Sequence, residues 1–362
     1  MADAAARDPV ADLKEIAFRL ERANEATYRV RAFRSAAKAV AAVDPAELAQ
    51  RAAAGTLTQL PGIGDVTARC VAESLAGEEP VYLRRLTATG DVDLDEAARA
   101  LRAALRGDCH AHTDWSDGGS PIEEMALGAA QLGHEYLVIT DHSPRLTVAN
   151  GLTAERLRKQ LAAIGELNAS LPVGFRVLTG IEVDILADGT LDQDPALLAE
   201  LDVVVGSVHS GLRDDRDTMT ARMLAAIANP HLDILGHCTG RKLSTKEGTG
   251  DRSHRRAGTR PESAFDAAAV FAACASYDKA VEINCRPDRL DPPKRLLRLA
   301  VEAGCRFAVD TDAHAPGQLD WLPNGCERAA RCGVDPQAVV NTWPATRLRD
   351  WTDGHAASAP VA

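Results

Sequence analysis

The sequence predicts an α/β protein, a seven-stranded β/α barrel preceded by a small all-helical domain. Three observations carry that prediction. Up to about residue 86 the apolar residues recur at helical spacing. From residue 107 short apolar strands alternate with helices. Histidines and carboxylates then recur at the C-terminal ends of those strands. Alternation of this kind implies a parallel sheet, and seven repeats imply one that closes or nearly closes.

The bulk properties are compatible with that architecture. At 362 residues the chain has room for a barrel and a small companion. A hydrophobic content of 46% with 26% charged residues is that of a soluble globular protein. No apolar run approaches the roughly 18 residues needed to span a membrane. Met1 to Pro9 carry acidic residues and no apolar core, which does not read as a secretory signal. A cytoplasmic location is expected. The eight cysteines include no C-x-x-C pair and are expected to be reduced thiols. Cys109, Cys238 and Cys285 adjoin motifs described below, and small buried residues beside a site are the plain reading of them.

The net charge of −11 argues against a protein coated in basic charge, yet two segments concentrate cations. One holds Arg29, Arg31, Arg34 and Lys38 with no acid. The other runs from Arg241 to Arg260, where Arg241, Lys242, Lys246, Arg252, Arg255, Arg256 and Arg260 face only Glu247 and Asp251. Each suggests local anion contact, against the simpler alternative of a solvated surface.

Residues 10–86 read as the helical domain. Leu13, Ile16, Ala17 and Leu20 fall on one helical face, as do Val30, Phe33, Ala37 and Val40. Asp44-Pro45-Ala46-Glu47 is a helix start, with a capping Asp and Pro at the first helical position. Leu60-Pro61-Gly62-Ile63-Gly64 then turns the chain into another helix, to about Leu75. The glycines allow a tight turn and are expected to leave their N–H groups open at a helix start, where a phosphate can bind. Residues 87–106 read as a connector with a helix begun by Asp93 or Asp95. The run Asp91-Val92-Asp93-Leu94-Asp95 superficially suggests a polymerase carboxylate pair, but there is no room here for a palm domain.

The barrel is expected over 107–350, with strands near 108–112, 136–140, 176–183, 202–208, 232–237, 280–284 and 306–311. A helix from Pro121 to Leu132 should have Ser120 as its cap, Glu123 at the third position and Gly133 as its stop. Residues 351–362 are small and polar and read as a disordered tail.

The chemistry lies at the strand ends. Of ten histidines, six fall there: His110, His112, His142, His209, His237 and His314. Asp117, Glu182 and Asp312 accompany them. In a parallel barrel these ends meet on one face. Residues two apart on a strand point the same way, so His110 and His112, or Asp312 and His314, can reach one cavity. A lone histidine at a strand end is more often structural than a ligand. Six of them with three carboxylates would be costly to bury together without cations. Mixed nitrogen and oxygen donors suit zinc, manganese or iron.

These segments carry a resemblance. Asp108-Cys-His-Ala-His-Thr-Asp-Trp-Ser-Asp117-Gly, Ile139-Thr-Asp-His-Ser143, Gly180-Ile-Glu-Val-Asp184, Ser207-Val-His-Ser210, Gly236-His-Cys-Thr-Gly-Arg241 and Thr311-Asp-Ala-His314 resemble the motifs of the PHP (polymerase and histidinol phosphatase) family. The resemblance implies a distorted barrel with two or three divalent ions. One ion would sit on His110, His112, Glu182 and Asp312. A second would sit on Glu182, His209 and His237, with Glu182 bridging. A third would use Asp117, His142 and His314. Residues 10–86 and the Pro-Gly-Ile-Gly turn resemble the helix-hairpin-helix domain of X-family DNA polymerases. Arg145 to Leu152, Glu282-Ile-Asn284 and Arg289-Leu-Asp291 resemble the PHP domain of the bacterial members. The chain looks like such a polymerase without its nucleotidyl-transfer domains. It departs from the pattern at Cys70, where some relatives keep a lyase lysine, at Cys238, where they have Pro, and in an extra basic loop around 243–261.

The implied reaction is hydrolysis of a phosphate ester by a metal-bound hydroxide, with Glu182, Asp312, His209 and His237 as catalytic residues. Asp141 and Asp184 are expected to orient ligands, and Arg145, Arg241, Arg286 and Arg289 are candidate phosphate clamps. A surface salt bridge is the alternative for each arginine. Arg29, Arg31, Arg34, Gly62 and Gly64 are candidates for DNA-backbone contact. The leading expectation is a 3′–5′ exonuclease or end-processing repair enzyme. The alternatives are a metabolite phosphomonoesterase, such as one acting on histidinol phosphate, and a non-catalytic DNA-binding module with a structural metal site. Neither an organic cofactor nor a membrane partner is expected.

Overall fold

The computed structural model of the chain describes residues 7–88, 92–244 and 259–357. It divides into two compact units, Met1–Asp93 and Leu94–Ala362.

The first unit is all-helical: α1 (Pro9–Arg22), α2 (Thr27–Ala41), α3 (Pro45–Ala53), α4 (Asp65–Leu75) and α5 (Val81–Thr87). Asp8 caps α1 through the Val10 N–H at 2.8 Å, and Asp44 caps α3 through Ala46 N–H at 2.9 Å. Such caps contribute about 1 kcal/mol each. Leu13, Ile16, Leu20, Phe33 and Val71 form the core. Each such side chain, fully buried, is worth about 1.5–3 kcal/mol. Cys70 lies in this core, and burial pushes its thiol up to about 11, which makes it inert.

The second unit begins with α6 (Glu96–Ala104), capped by Asp95, so the helix expected in a connector packs into the barrel unit through Ala98 and Leu101. Seven parallel strands follow in sequential order: β1 (Gly107–Ala111), β2 (Tyr136–Ile139), β3 (Arg176–Asp184), β4 (Val203–Ser207), β5 (Ile234–Leu235), β6 (Ala280–Asn284) and β7 (Arg306–Asp310). The helices between them are α7 (Ile122–Gln131), α8 (Ala154–Asn168), α9 (Pro195–Leu198), α10 (Arg216–Ile227), α11 (Ala267–Ser276) and α12 (Lys294–Glu302), with α13 (Leu322–Cys332) and α14 (Ala345–Ala357) after β7.

Period-two alternation sorts each strand. Val138, Leu178, Val205, Ile234, Ala280 and Ala308 share one apolar cluster, joined by Val340, Trp343 and Leu348 from beyond β7. Two and four residues further along the same faces of β3, β6 and β7 come Glu182, Glu282, Asn284, Asp310 and Asp312. The alternate residues, such as Ile181, Val183, Val281 and Val309, pack in a cluster with Met223, Phe271 and other helix residues. The interior is therefore apolar at one level and ionisable at the next.

The seam between β1 and β7 is distorted. Ala111 bridges Ala313, and the His112 N–H donates to Ala313 O at 2.7 Å. Below that, side chains replace the ladder. Asp310 accepts from Cys109 N–H at 2.8 Å, and Asp108 accepts from the Thr311 N–H at 3.3 Å and from its hydroxyl. Asn341 donates to Asp310 at 2.8 Å and accepts from Val309 N–H at 2.7 Å.

Several expectations need correction. Pro121, not Ser120, stands at the N-cap position of α7 and no side chain caps the helix, while the Ser120 carbonyl accepts from Asp114 N–H at 2.9 Å and holds that residue in the loop. The stop at Gly133 holds, with φ +81. The tail expected from 351 is instead helical to Ala357. His355 contacts Asp233 at 2.8 Å and Thr352 donates to the Asp202 carbonyl at 2.8 Å, which anchors the helix to the barrel. Most of the basic loop around 243–261 lies outside the described residues. All eight cysteines are buried free thiols. No helix among the described residues is long and apolar enough to cross a membrane.

Candidate metal centre

The nine residues singled out at the strand ends converge around Glu182, which is 1% exposed. Its Oε2 lies 2.8 Å from His142 Nδ1, 3.5 Å from His110 Nε2 and 3.6 Å from His112 Nε2. Its Oε1 lies 2.9 Å from His237 Nε2 and 3.4 Å from His209 Nε2. Asp312 Oδ1 is 3.4 Å from His112 Nε2. Asp117 Oδ1 is 3.5 Å from both His142 Nε2 and His314 Nε2. Three groups offer ligand atoms within 4.8 Å of one another: His110, His112 and Glu182; His142, Glu182 and His209; and His112, Asp117, His142 and His314. His142 thus stands between two groups.

Two features of the chain set this up. His110, on β1, and His112, one residue past its end, lie two residues apart. At the loop after β1, Asp141 accepts from the Thr113 N–H at 2.8 Å, the Thr113 hydroxyl at 2.6 Å, and the Ser116 hydroxyl. A Cβ at Gly118 would meet the Thr113 backbone at 2.7 Å, so only glycine lets the chain turn tightly enough to present Asp117. Asp141 therefore orders a loop and touches no histidine of the centre, whereas Asp184 Oδ1 meets His209 Nδ1 at 2.5 Å as expected. Asp312 adopts a left-handed backbone, φ +54, a conformation that costs of order 1 kcal/mol for a non-glycine residue.

The electrostatics divide the histidines: His112 and His237 are lowered, whereas His110, raised well above its usual range by Glu282 and Glu182 against burial, and His209 hold protons that an ion would have to displace. Burial alone would raise the Glu182 carboxyl, but His209, His142 and His110 hold it well below the usual range. Burial, reinforced by His314 and His142, pushes His112 down to about 3, so its ring is neutral and keeps a free lone pair. Burial and Arg289 lower His237 as well. Burial opposes protonation of His209, but Glu182 and Asp184 prevail and raise it to about 9. For Asp312, Arg286 and Arg289 overcome burial and hold the carboxyl well below its usual range.

Several buried polar atoms of the centre lie close to a neighbour, as near as 2.8 Å, yet none of the contacts is aligned as a hydrogen bond. These atoms include His110 Nε2, both ring nitrogens of His112 and His237, His209 Nε2, and both Glu182 oxygens. Orphans of this kind cost about 1–3 kcal/mol each, and their concentration at one point is what divalent cations would relieve.

Glu282 was noted in the sequence only within a resembling segment, yet its role is direct. Its Oε1 meets His110 Nδ1 at 2.6 Å, its Oε2 accepts from the His237 N–H at 2.5 Å, and it is fully buried. Asn284 donates to Glu282 at 3.2 Å and to Asp312 at 3.3 Å. The available signal was two polar residues at period two on an otherwise apolar strand.

The arginines separate. Arg289 Nε lies 3.0 Å from Asp312 Oδ2, and Arg286 Nη1 lies 3.5 Å from Asp312 Oδ1 and 3.2 Å from His314 Nδ1. Arg145 is a mostly exposed side chain 4.0 Å from Asp192. Arg241 is not placed as a clamp: its guanidinium donates to the carbonyls of Arg289, at 2.9 Å, and Leu290, bracing the loop that carries Arg289. In the helical unit, Arg29 pairs with Glu25 at 2.6 Å, Arg34 pairs with Glu21 at 2.7 Å, and Arg31 is exposed. Gly62 is exposed with φ +87, but the Gly64 N–H, expected to lie open, donates to Thr67 Oγ1 at 3.0 Å. A threonine at the third helical position caps that donor.

Residues 108–286 match the PHP domain family and residues 5–79 match a helix-hairpin-helix domain family. The DNA polymerase/3′-5′ exonuclease PolX of Bacillus subtilis is 39% identical over 237 residues, which is 66% of this chain and 39% of that protein. A protein described as a probable phosphatase from Thermoanaerobacter sp. (strain X514) is 28% identical over 246 residues, 65% of this chain and 89% of that protein. The zinc-containing structure of histidinol phosphate phosphatase from Lactococcus lactis, with L-histidinol and phosphate, matches at 19% identity and a TM-score of 0.43, covering 64% of this chain and 95% of that one. Residues that match the PHP domain family are thus joined in one chain to residues that match a helix-hairpin-helix domain family.

Proposed function

We propose that this chain is a metal-dependent phosphoesterase that hydrolyses phosphodiester bonds at DNA ends, as a 3′–5′ exonuclease or end-processing nuclease. The observation that carries the reading is the convergence of nine ligand-type side chains with orphaned donor atoms, in a chain that also holds a helix-hairpin-helix domain. His110, His112, Glu182 and Asp312 would hold one ion, Glu182, His209 and His237 a second, and Asp117, His142 and His314 a third. Divalent ions there would supply Lewis-acid charge to the phosphoryl oxygens and would activate a water.

The protein's own residues do the rest. Asp184 and Glu282 fix the rings of His209 and His110 by their Nδ1 atoms, which leaves Nε2 of each toward Glu182. The centre is sealed at His110 and Glu182 but opens at its other edge, where the Asp117 side chain is 36% exposed and His314 19%. A phosphate ester would enter there, and Arg286 beside His314 offers guanidinium donors to its oxygens. The helical domain would supply backbone contact independent of sequence, with Arg31 and the Gly62 turn as its exposed elements.

Relatives described as probable phosphatases, matched over most of their length, favour a second reading, a small-metabolite phosphomonoesterase. Purified protein and Glu182→Ala, incubated with end-labelled single-stranded and gapped DNA plus manganese or zinc, distinguish the two. Laddered products from the wild type alone support the nuclease. Intact DNA together with phosphate release from histidinol phosphate overturns it.

A further inference from the structure

We propose that Lys242 and Arg289 form a second anion seat beside the metal centre, which takes the phosphate next to the one being cleaved in a phosphodiester chain. This rests on the phosphodiesterase reading above and deepens it, because a metabolite monoester has no second phosphate to place.

The seat is built by the loops after β5 and β6. Lys242 and Arg260 pair as an antiparallel bridge, with Lys242 N–H donating to Arg260 O at 2.9 Å and Arg260 N–H to Lys242 O at 3.0 Å. That bridge is fastened to the loop after β6, where Leu243 N–H donates to Asp288 O at 2.7 Å and Arg241 braces Arg289 O. Arg289 is 8% exposed and touches the centre through Asp312, yet its Nη1 is buried without a hydrogen-bond partner. A buried guanidinium N–H with no acceptor is a position at which an anionic oxygen gains a charge-assisted hydrogen bond.

The charge balance points the same way. Arg286 is answered by Asp288 at 2.9 Å and Arg289 by Asp312, a carboxylate it shares with the centre. Asp291 is committed to Thr239, accepting from its N–H at 3.1 Å and its hydroxyl at 2.6 Å. Lys242 and Arg260 have no carboxylate within ion-pair distance among the described residues. Lys242 is half-buried. Burial lowers its ammonium first, then Arg289, with Asp288 opposing and Arg286 and Arg260 adding to the depression. Cations crowded in this way repel one another until an anion joins them. A nucleic-acid strand with one phosphate at the centre brings the next one with it.

The experiment titrates thymidine 5′-phosphate, and the dinucleotide pTpT with a phosphorothioate linkage to slow cleavage, into the zinc-loaded full chain. The readout is the ratio of the two dissociation constants by calorimetry. The wild type should bind the dinucleotide about tenfold more tightly, Lys242→Met should bring the ratio near one, and Lys242→Arg should retain it. A wild-type ratio near one, or a preference that survives Lys242→Met, overturns the seat. Hydrolysis of bis(p-nitrophenyl) phosphate, followed alongside, reports on the parent reading separately. Hydrolysis with a ratio near one sinks the seat alone, whereas an intact preference without hydrolysis upholds an anion seat and sinks the phosphodiesterase reading.

Discussion

Glu282 holds His110 by Nδ1 at 2.6 Å and, with its other oxygen, accepts from the backbone N–H of His237 at 2.5 Å. One carboxylate on β6 thereby fixes a ring on β1 and the chain at the end of β5. Carboxylate contacts of this kind set the tautomer of a ligating imidazole and raise its basicity.

Glu282→Gln should therefore weaken metal binding by about ten- to a hundredfold while the barrel stays folded. Competition with a chromophoric chelator measures it. Unchanged affinity would reduce Glu282 to a filler of the barrel interior.

Stripping the centre should destabilise the second unit. A ligand present at about a thousand times its dissociation constant stabilises by about 4 kcal/mol, which for a unit of this size is roughly 8–16 °C in Tm. Differential scanning calorimetry with and without a chelator should show the barrel transition move and the helical-unit transition stay. A barrel transition indifferent to chelation would show that the orphaned atoms are satisfied by other means.

Acid sensitivity away from the centre should trace to His134. Both of its ring nitrogens are buried without partners, and burial, aided by Arg102, lowers it to about 4. A histidine depressed in the folded state is held neutral there, so the unfolded chain binds the proton first. Stability present above about pH 6.5 is then lost as pH falls toward 4, by up to roughly 3 kcal/mol. His134→Phe should flatten urea-denaturation midpoints across that window, and an unchanged pH profile in the variant would refute this.

In the helical unit two arginines on one helix should behave differently. Arg31 is exposed, so Arg31→Gln should lower DNA affinity and reduce the magnitude of the salt slope by about 0.9. Arg34 pairs with buried Glu21, so Arg34→Gln should cost about 1–3 kcal/mol of stability instead. Anisotropy titrations at several salt concentrations, paired with thermal melts, separate the two outcomes.

The nine ligand-type residues were legible because strand ends and period-two spacing are local signals, and a parallel barrel converts them into one face. What escaped depends on contacts distant in sequence. Arg241 looked like a clamp, since its target carbonyls on Arg289 and Leu290 are 48 and 49 residues away. The stretch Asp353-Gly354-His355 looked like a tail, because nothing nearby reveals that Asp233 meets His355. Gly64 looked open, although Thr67 three residues on could have warned of the cap.

The seam between β1 and β7 has a kinetic consequence. Its lower part is joined by Asp108, Asp310 and Asn341 side chains, not by a continuous backbone ladder. A cylinder sewn along one line by side chains has a favoured place to part. The flanking strands are those that deliver His110 and His112 on one side and Asp312 and His314 on the other. Parting there would divide the proposed ligand set, so that ion exchange and local breathing would become a single event. If ions sit there as proposed, their exchange rate should follow the opening rate of the seam, readable as amide exchange at Cys109 and Thr311.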